Sequence, residues 1–398
     1  MNKQMITAFC ASALIPALAT GAQTPTLPVI QVPIVAKPTA LAQKLVGWRY
    51  GAITCNGANE TPLSLSLPTP DDRIGWTGIE SNLPKQATFN FVIDSTGRPH
   101  AINRSINGNA LDYSVFGLDL APALAAARFK PGGARTACTI TYMPEIVDIA
   151  SASVDRLIAY SLFPSSQRLP EIGYDRVRMI VTPGSTCVDP PPTVRNRAFP
   201  DFQAIPQAPG MRSWSMISYD IDGQGRPANV RVARSTGNAA LDRASARAVE
   251  QSRYEARARR GCLYPYWRRG DPLPAPVIPE TPASSPDPGC PVAKQWKTQP
   301  VLRFPEPYMR RGVEGWGIIG YDVAPWGATG NLRVIASEPS ADFGIAAMNT
   351  VRAATKESSP RGYTNCQTRV RFVIPRPGQP SAMGAVSPPA EEPIIAPL

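Results

Sequence analysis

Seven cysteines and a single histidine bound the chemistry open to this 398-residue chain. Cys10 stands near the start, and the rest fall as Cys55 and Cys138, Cys187 and Cys262, Cys290 and Cys366, each pair about 75 to 85 residues apart. Thiols so spaced serve as metal ligands or as disulfides. No Cys-x-x-Cys occurs, and His100 alone offers an imidazole, so a zinc site would lack its usual donors. Ser-His-Asp or Cys-His catalysis could be built only around His100, and neither a Gly-x-Ser-x-Gly elbow nor a Gly-Lys phosphate loop is present to support it. Asp220-Ile-Asp222-Gly-Gln-Gly225 is like the opening of a calcium loop, but Arg231 occupies the twelfth position, where a bidentate Glu is required. The expectation is no enzyme, no metal and no cofactor, with the six later cysteines available for disulfides.

Disulfides persist only in an oxidising space, and the first residues point to one. Met1-Asn-Lys3 is a short basic start, Met5 to Ala19 is apolar apart from Thr7, Ser12 and Pro16, and small residues follow near Ala22. This reads as a signal peptide over residues 1–22. A retained anchor is the alternative, but a spanning helix needs about 20 apolar residues and this run is shorter and carries a proline. Cleavage would remove Cys10 and leave six cysteines, for which sequence alone allows about fifteen connectivities.

An internal repeat narrows that number. Asp94-Ser-Thr-Gly97-Arg98-Pro99 is echoed by Asp222-Gly-Gln-Gly225-Arg226-Pro227, and Gly108-Asn-Ala-Leu111-Asp112 by Gly237-Asn-Ala-Ala-Leu241-Asp242. A third copy is more diverged: Tyr321-Asp322-Val323 answers Tyr219-Asp220-Ile221, and Ser337 stands where Ser105 and Ser235 do. Repeat and cysteine spacing share one period, which favours pairing within each copy. In the chain-entropy model each such link restricts the unfolded chain by about 4.5 kcal/mol.

The elements that must hold these residues are legible in copy two. Trp214 to Ile221 and Ala228 to Ala233 read as strands around the turn Asp222-Gly-Gln-Gly225. Leu241, Ala244, Ala248 and Val249 fall at helical spacing behind Asn238, a natural cap. Cys262 to Trp267 can close the sheet, with Pro265 confining it to an edge. Copy three repeats the order with Trp316 to Val323, Leu332 to Ala336, a helix through Phe343 to Val351, and Thr368 to Ile374. Copy one gives Thr88 to Ile93, Ala101 to Asn103, a helix through Leu120, Leu124 and Ala127, and Cys138 to Tyr142. The fold class is therefore α+β: three tandem ββαβ modules, each stapled by one disulfide. Proline, 45 of 398 residues, concentrates where copies meet. The expected plan is module 1 at 45–145, module 2 at 184–270, a Pro-rich linker at 271–289, module 3 at 290–376 and a disordered tail at 377–398, arranged as beads on stiff connectors.

Copy three carries Phe304-Pro-Glu-Pro-Tyr308-Met-Arg310-Arg311-Gly312-Val313-Glu314-Gly315 before its first strand. Copy two carries Asp222-x-x-Gly225, Arg234-Ser-Thr-Gly237, Leu241-Asp242 leading into Ala248-Val249, and Arg253-Tyr254. Together these resemble the two halves of the TonB C-terminal domain, a periplasmic module of energy transducers serving outer-membrane receptors. Copy one keeps mainly Asp94-x-x-Gly97, Leu111-Asp112 and Arg128-Phe-Lys-Pro131. The resemblance implies a binding module in the periplasm that adds an extended peptide of an envelope protein, such as an outer-membrane receptor, to a sheet edge. It places the partner-binding residues at Arg310, Arg311, Arg369, Val370, Arg371 and Phe372 of copy three. A transducer would also have an uncleaved anchor helix carrying a histidine and a long Pro-rich spacer. Neither is visible, which implies a relative that kept the domain and lost the motor.

Charge supplies the competing reading. The formal balance of +11 and the cluster Arg253, Arg257, Arg259, Arg260, Arg268 and Arg269 would suit a soluble scaffold on anionic envelope polymer or lipid. Nucleic acid is not an expected partner of an exported protein.

Overall fold

Alternating apolar residues and tight turns build five antiparallel sheets among the described residues, of which the three larger ones share a three-strand arrangement. The structure, a computed structural model, describes residues 44–66, 84–105, 118–163, 168–181, 183–279, 290 and 296–375. The signal segment 1–22, the Gly108–Asp112 motif, most of the Pro-rich stretch after residue 279 and the tail lie outside the described residues.

Copy one runs β1 (Lys44–Tyr50), β2 (Ile53–Cys55), β3 (Ala58–Glu60), β4 (Ala87–Ile93), β5 (Pro99–Arg104), α1 (Leu120–Ala125) and β6 (Arg135–Asp148). A connector follows with α2 (Val154–Leu162) and α3 (Glu171–Arg178). Copy two runs β7 (Val194–Asn196), β8 (Ser213–Ile221), β9 (Pro227–Ser235), α4 (Ala239–Gln251), β10 (Arg253–Tyr254) and β11 (Arg259–Arg268). Copy three runs β12 (Trp296–Thr298), α5 (Glu306–Arg311), β13 (Gly315–Val323), β14 (Thr329–Glu338), α6 (Ala341–Arg352), β15 (Thr355–Lys356) and β16 (Tyr363–Phe372). The ββαβ order read from the sequence is present in each.

Sheet topology is shared as well. The first hairpin strand is central, with its hairpin partner on one side and the closing strand on the other: β6-β4-β5, β11-β8-β9 and β16-β13-β14, all antiparallel. Two irregularities recur at equivalent places. The second strand bulges at Ala101, Asn229 and Asn331, and the closing strand at Ala137, Gly261 and Asn365, immediately before its cysteine; all six have positive φ. The hairpin glycines Gly97, Gly225 and Gly327 also have positive φ, and a Cβ on any of them would lie 2.1–2.2 Å from the carbonyl oxygen of Phe129, Tyr254 or Lys356. Only glycine permits both that conformation and that approach. In copies one and two the turn is further fixed by its aspartate: Asp94 Oδ1 accepts from the backbone N–H of Thr96 and Arg98, each at 2.9 Å, and Asp222 Oδ1 accepts from Gln224 and Arg226 at 2.9 and 2.8 Å. These carboxylates are turn formers.

The disulfides pair within copies: Cys55–Cys138, Cys187–Cys262 and Cys290–Cys366. Asn238 caps α4 by accepting from Leu241 N–H at 3.1 Å. Under α6 the sheet admits the helix closely because Gly317 has no side chain; a Cβ there would come within 2.7 Å of Ala347.

The copies do not hang as separate beads. One hydrophobic core joins Phe89, Phe91, Ile93, Leu124 and Phe129 of copy one to Tyr308, Val313, Phe343 and Phe372 of copy three, with Leu273 of the connecting stretch among them. Leu273 bridges to Val313, and Ile102 N–H donates to Pro339 O at 2.9 Å. A second core places Leu157 and Ile158 of α2, Leu169 between the helices and Val177 of α3 against Trp214, Met216 and Leu263, on the side of the copy two sheet away from α4. Segments with too few apolar residues to form cores alone gain burial by sharing them.

Candidate peptide-docking edge

Each closing strand offers two sides, and the central strand takes one. What lies on the other side differs in every copy. Cys138, Cys262 and Cys366 occupy equivalent positions, opposite Phe91, Tyr219 and Tyr321 of their central strands. Successive residues of an antiparallel strand direct their N–H and C=O to opposite sides, so the residues one and three beyond each cysteine face outward.

In copy one that outer edge is filled by the chain itself. β1 lies antiparallel along β6 from Lys44↔Asp148 to Tyr50↔Tyr142, and β2 continues with Thr54↔Thr139 and Cys55↔Cys138. Gly51 N–H donates to Thr141 O at 2.9 Å. Leu45, Val46 and Trp48 bury the added strand, and the Cys55–Cys138 disulfide pins its end. The sequence reading missed this strand because it precedes the repeat and has no counterpart in the other copies. Its clustered apolar residues were the available signal.

In copy two the residue equivalent to Thr141 is Pro265. It sits in β11 opposite Met216, and the ring tolerates that place because its missing N–H belongs to the outer side. The start of this edge is also covered, since Thr186 N–H donates to Arg260 O at 3.0 Å.

In copy three the equivalent residue is Arg369, and β16 ends its sheet with no further strand beside it among the described residues. Gln367, Arg369 and Arg371 thus turn backbone groups outward. Val370, opposite Gly317, and Phe372, opposite Gly315, turn theirs toward β13. Phe372 is buried against Phe304 and Phe343. Of the six residues placed here by sequence, four therefore share β16, and of these only Arg369 and Arg371 are exposed with outward backbone.

Arg310 and Arg311 lie on α5 instead. Arg310 pairs with Glu306 one turn earlier. Arg311 is 0 % exposed and meets Asp119 of copy one with two nitrogens, Nε donating to Oδ1 at 2.5 Å. A partner surface at Arg311 is thereby corrected: its guanidinium is consumed in a buried ion pair between copies. Arg212 approaches the same carboxylate at 3.9 Å, and burial pulls its guanidinium down to about 10. The rest of the motif is structural too. Gly312 ends α5 with φ of 74°, and Glu314 accepts from Ile374 N–H at 3.1 Å, tying the chain just past β16 to the start of β13.

His100 is on β5. Its Nδ1 lies 3.2 Å from Glu338 Oε1, across the seam between copies one and three, and that hydrogen bond holds its pKa above the ordinary value. The basic cluster of copy two divides: Arg259 is buried and donates to Thr186 O at 2.7 Å, Arg268 pairs with Asp271 at 2.7 Å, and Arg253, Arg257 and Arg260 remain exposed. Among the described residues, no group of acidic, histidine and cysteine side chains could hold a metal, and no helix is long and apolar enough to cross a membrane.

These features define a class: small α+β units in which an antiparallel sheet carries a helix on one face. Residues 208–266, the hairpin, helix and most of the closing strand of copy two, match the family described as Gram-negative bacterial TonB protein C-terminal. No curated protein matches the chain.

Proposed function

We propose that this is a periplasmic protein-interaction module that binds extended segments of envelope proteins, such as outer-membrane receptors, by strand addition to β16, with copies one and three diverged members of the same family as copy two. The role is binding, in keeping with the family of copy two, and coupling to energised transport would pass through such receptors. The observation that carries the reading is the difference among the three outer edges: one filled by β1 and β2, one interrupted by Pro265, one free of any neighbouring strand among the described residues. Copy one supplies a precedent within the molecule for a strand docked on this edge. The scaffold reading draws less support, since Arg259 and Arg268 of its basic cluster are engaged internally.

The decisive variant is Arg369→Pro in the full chain. Copy two folds with proline at the equivalent place, so the substitution should leave the sheet intact while deleting one outward donor. A lost ladder bond of about 1 kcal/mol, with the ring's added obstruction, should weaken binding at least about ten-fold. Titration with peptides from the amino-terminal segments of outer-membrane receptors measures it. Undiminished binding by folded Arg369→Pro would remove β16 as the docking edge.

A further inference from the structure

The face of the copy three sheet turned away from α6 carries a row of guanidiniums. Directly opposed residues of neighbouring strands share a face. Gly320 is opposite Arg333 on β14, Ile318 is opposite Arg369 and Trp316 opposite Arg371 on β16. All three arginines are exposed, while Trp316 and Ile318 beneath them are 3 % and 2 % exposed. Long arginine stems cover apolar surface in this way while keeping the charge in water. The connecting stretch also covers this face, since Trp316 Nε1 donates to Pro276 O at 2.8 Å, and the Glu338 carboxylate opposite Trp316 on β14 is engaged by His100 and by Ala101 N–H. Arg333 spans the strand between, lying over Gly320, where a Cβ would come within 2.9 Å of its guanidinium carbon, and it bonds the neutral side chain of Asn365. The carboxylate of Asp322 lies at the hairpin end of the same strand, occupied by Asn331 Nδ2 and Asn365 N–H at 2.7 and 2.8 Å. The opposite face is apolar at the edge, with Val370 and Phe372 on the side of α6.

From this asymmetry we propose that the segment recognised at β16 is acidic at alternate positions and apolar between them, with its carboxylates aligned over the Arg333, Arg369 and Arg371 row. The inference rests on the docking reading above and adds the partner's chemistry to it. A docked strand extends both faces, so residues opposite Arg369 and Arg371 join the basic face and their neighbours join the apolar one. Copy two has no such row on its closing strand: Leu263, Pro265 and Trp267 stand at the places of Gln367, Arg369 and Arg371.

The probes are two eight-residue peptides of alternating Glu and Val, or Gln and Val, titrated into the full chain. The Glu peptide should bind about five-fold tighter or more at low salt, and the gap should close as salt rises toward about 0.5 M. Arg333→Gln with Arg371→Gln should bring the Glu peptide down toward the Gln peptide. Equal affinities for the two peptides would overturn acidic selection and leave the docking edge standing. Failure of both to bind would overturn both readings. Equal binding of the Glu peptide by folded Arg369→Pro would show attraction without strand addition, and would overturn this proposal.

Discussion

The closing strands of copies one and three share a register, a cysteine and a preceding bulge, yet among the described residues β6 is a central strand and β16 has a strand on one side alone. Nothing within the two strands accounts for that. β6 is covered because twelve residues upstream, 44 to 55, fold back along it, and because Leu45, Val46 and Trp48 find cores to enter. Copy two reaches a similar end by a local route, one proline. The contrast teaches that a sheet edge can be retired by non-local cover or by a missing donor, and that only the second can be read along the chain.

The largest expected effect tests the seam through which copies one and three are joined. Asp119→Ala leaves Arg311 and Arg212 buried without the carboxylate between them, which should cost about 3–5 kcal/mol. Denaturant unfolding followed by tryptophan fluorescence would measure it, and a loss below about 1 kcal/mol would mean the pair does not hold the seam. A smaller effect is expected from Pro265→Arg, which restores the outward donor in copy two. If the donor is what separates copies two and three, peptide titration should show a second, weaker site. Stoichiometry unchanged at one would assign the closure of copy two to the Thr186 cover instead.

The smallest effect concerns pH. The hydrogen bond that the His100 imidazolium donates to Glu338 raises the His100 pKa in the folded protein, so its contribution to the seam is fully present below the ordinary value of 6.5 and is lost as pH rises through the higher folded value. His100→Gln should therefore flatten the decline of stability on raising pH above 6.5. A variant as pH-dependent as wild type over that range would assign the slope to another group.

Much of the fold was legible locally. Period-two alternation located β8, β9 and β13, the Asp-x-x-Gly turns fixed two hairpins, Asn238 marked the start of α4, and the shared period of repeat and cysteines anticipated all three disulfides. These features follow from interactions within a few residues or from a pattern repeated along the chain. Helices α2 and α3 went unread because they fall outside the repeat and owe their place to the back of the copy two sheet. The candidate site was half legible. Arg369 and Arg371 stood out as alternating charges, and the backbone directions that set Val370 apart from them needed the register with β13.

What the sequence determined by itself was the mixed α+β character and the pairing of the three disulfides. Tertiary structure alone decided which closing strand the chain itself covers and which arginine is buried. Arg311 and its partner Asp119 are 192 residues apart, and the cover over β6 comes from a segment about 90 residues before it. Edge availability and charge burial are properties of what arrives from elsewhere in the chain, and no local pattern encodes the arrival.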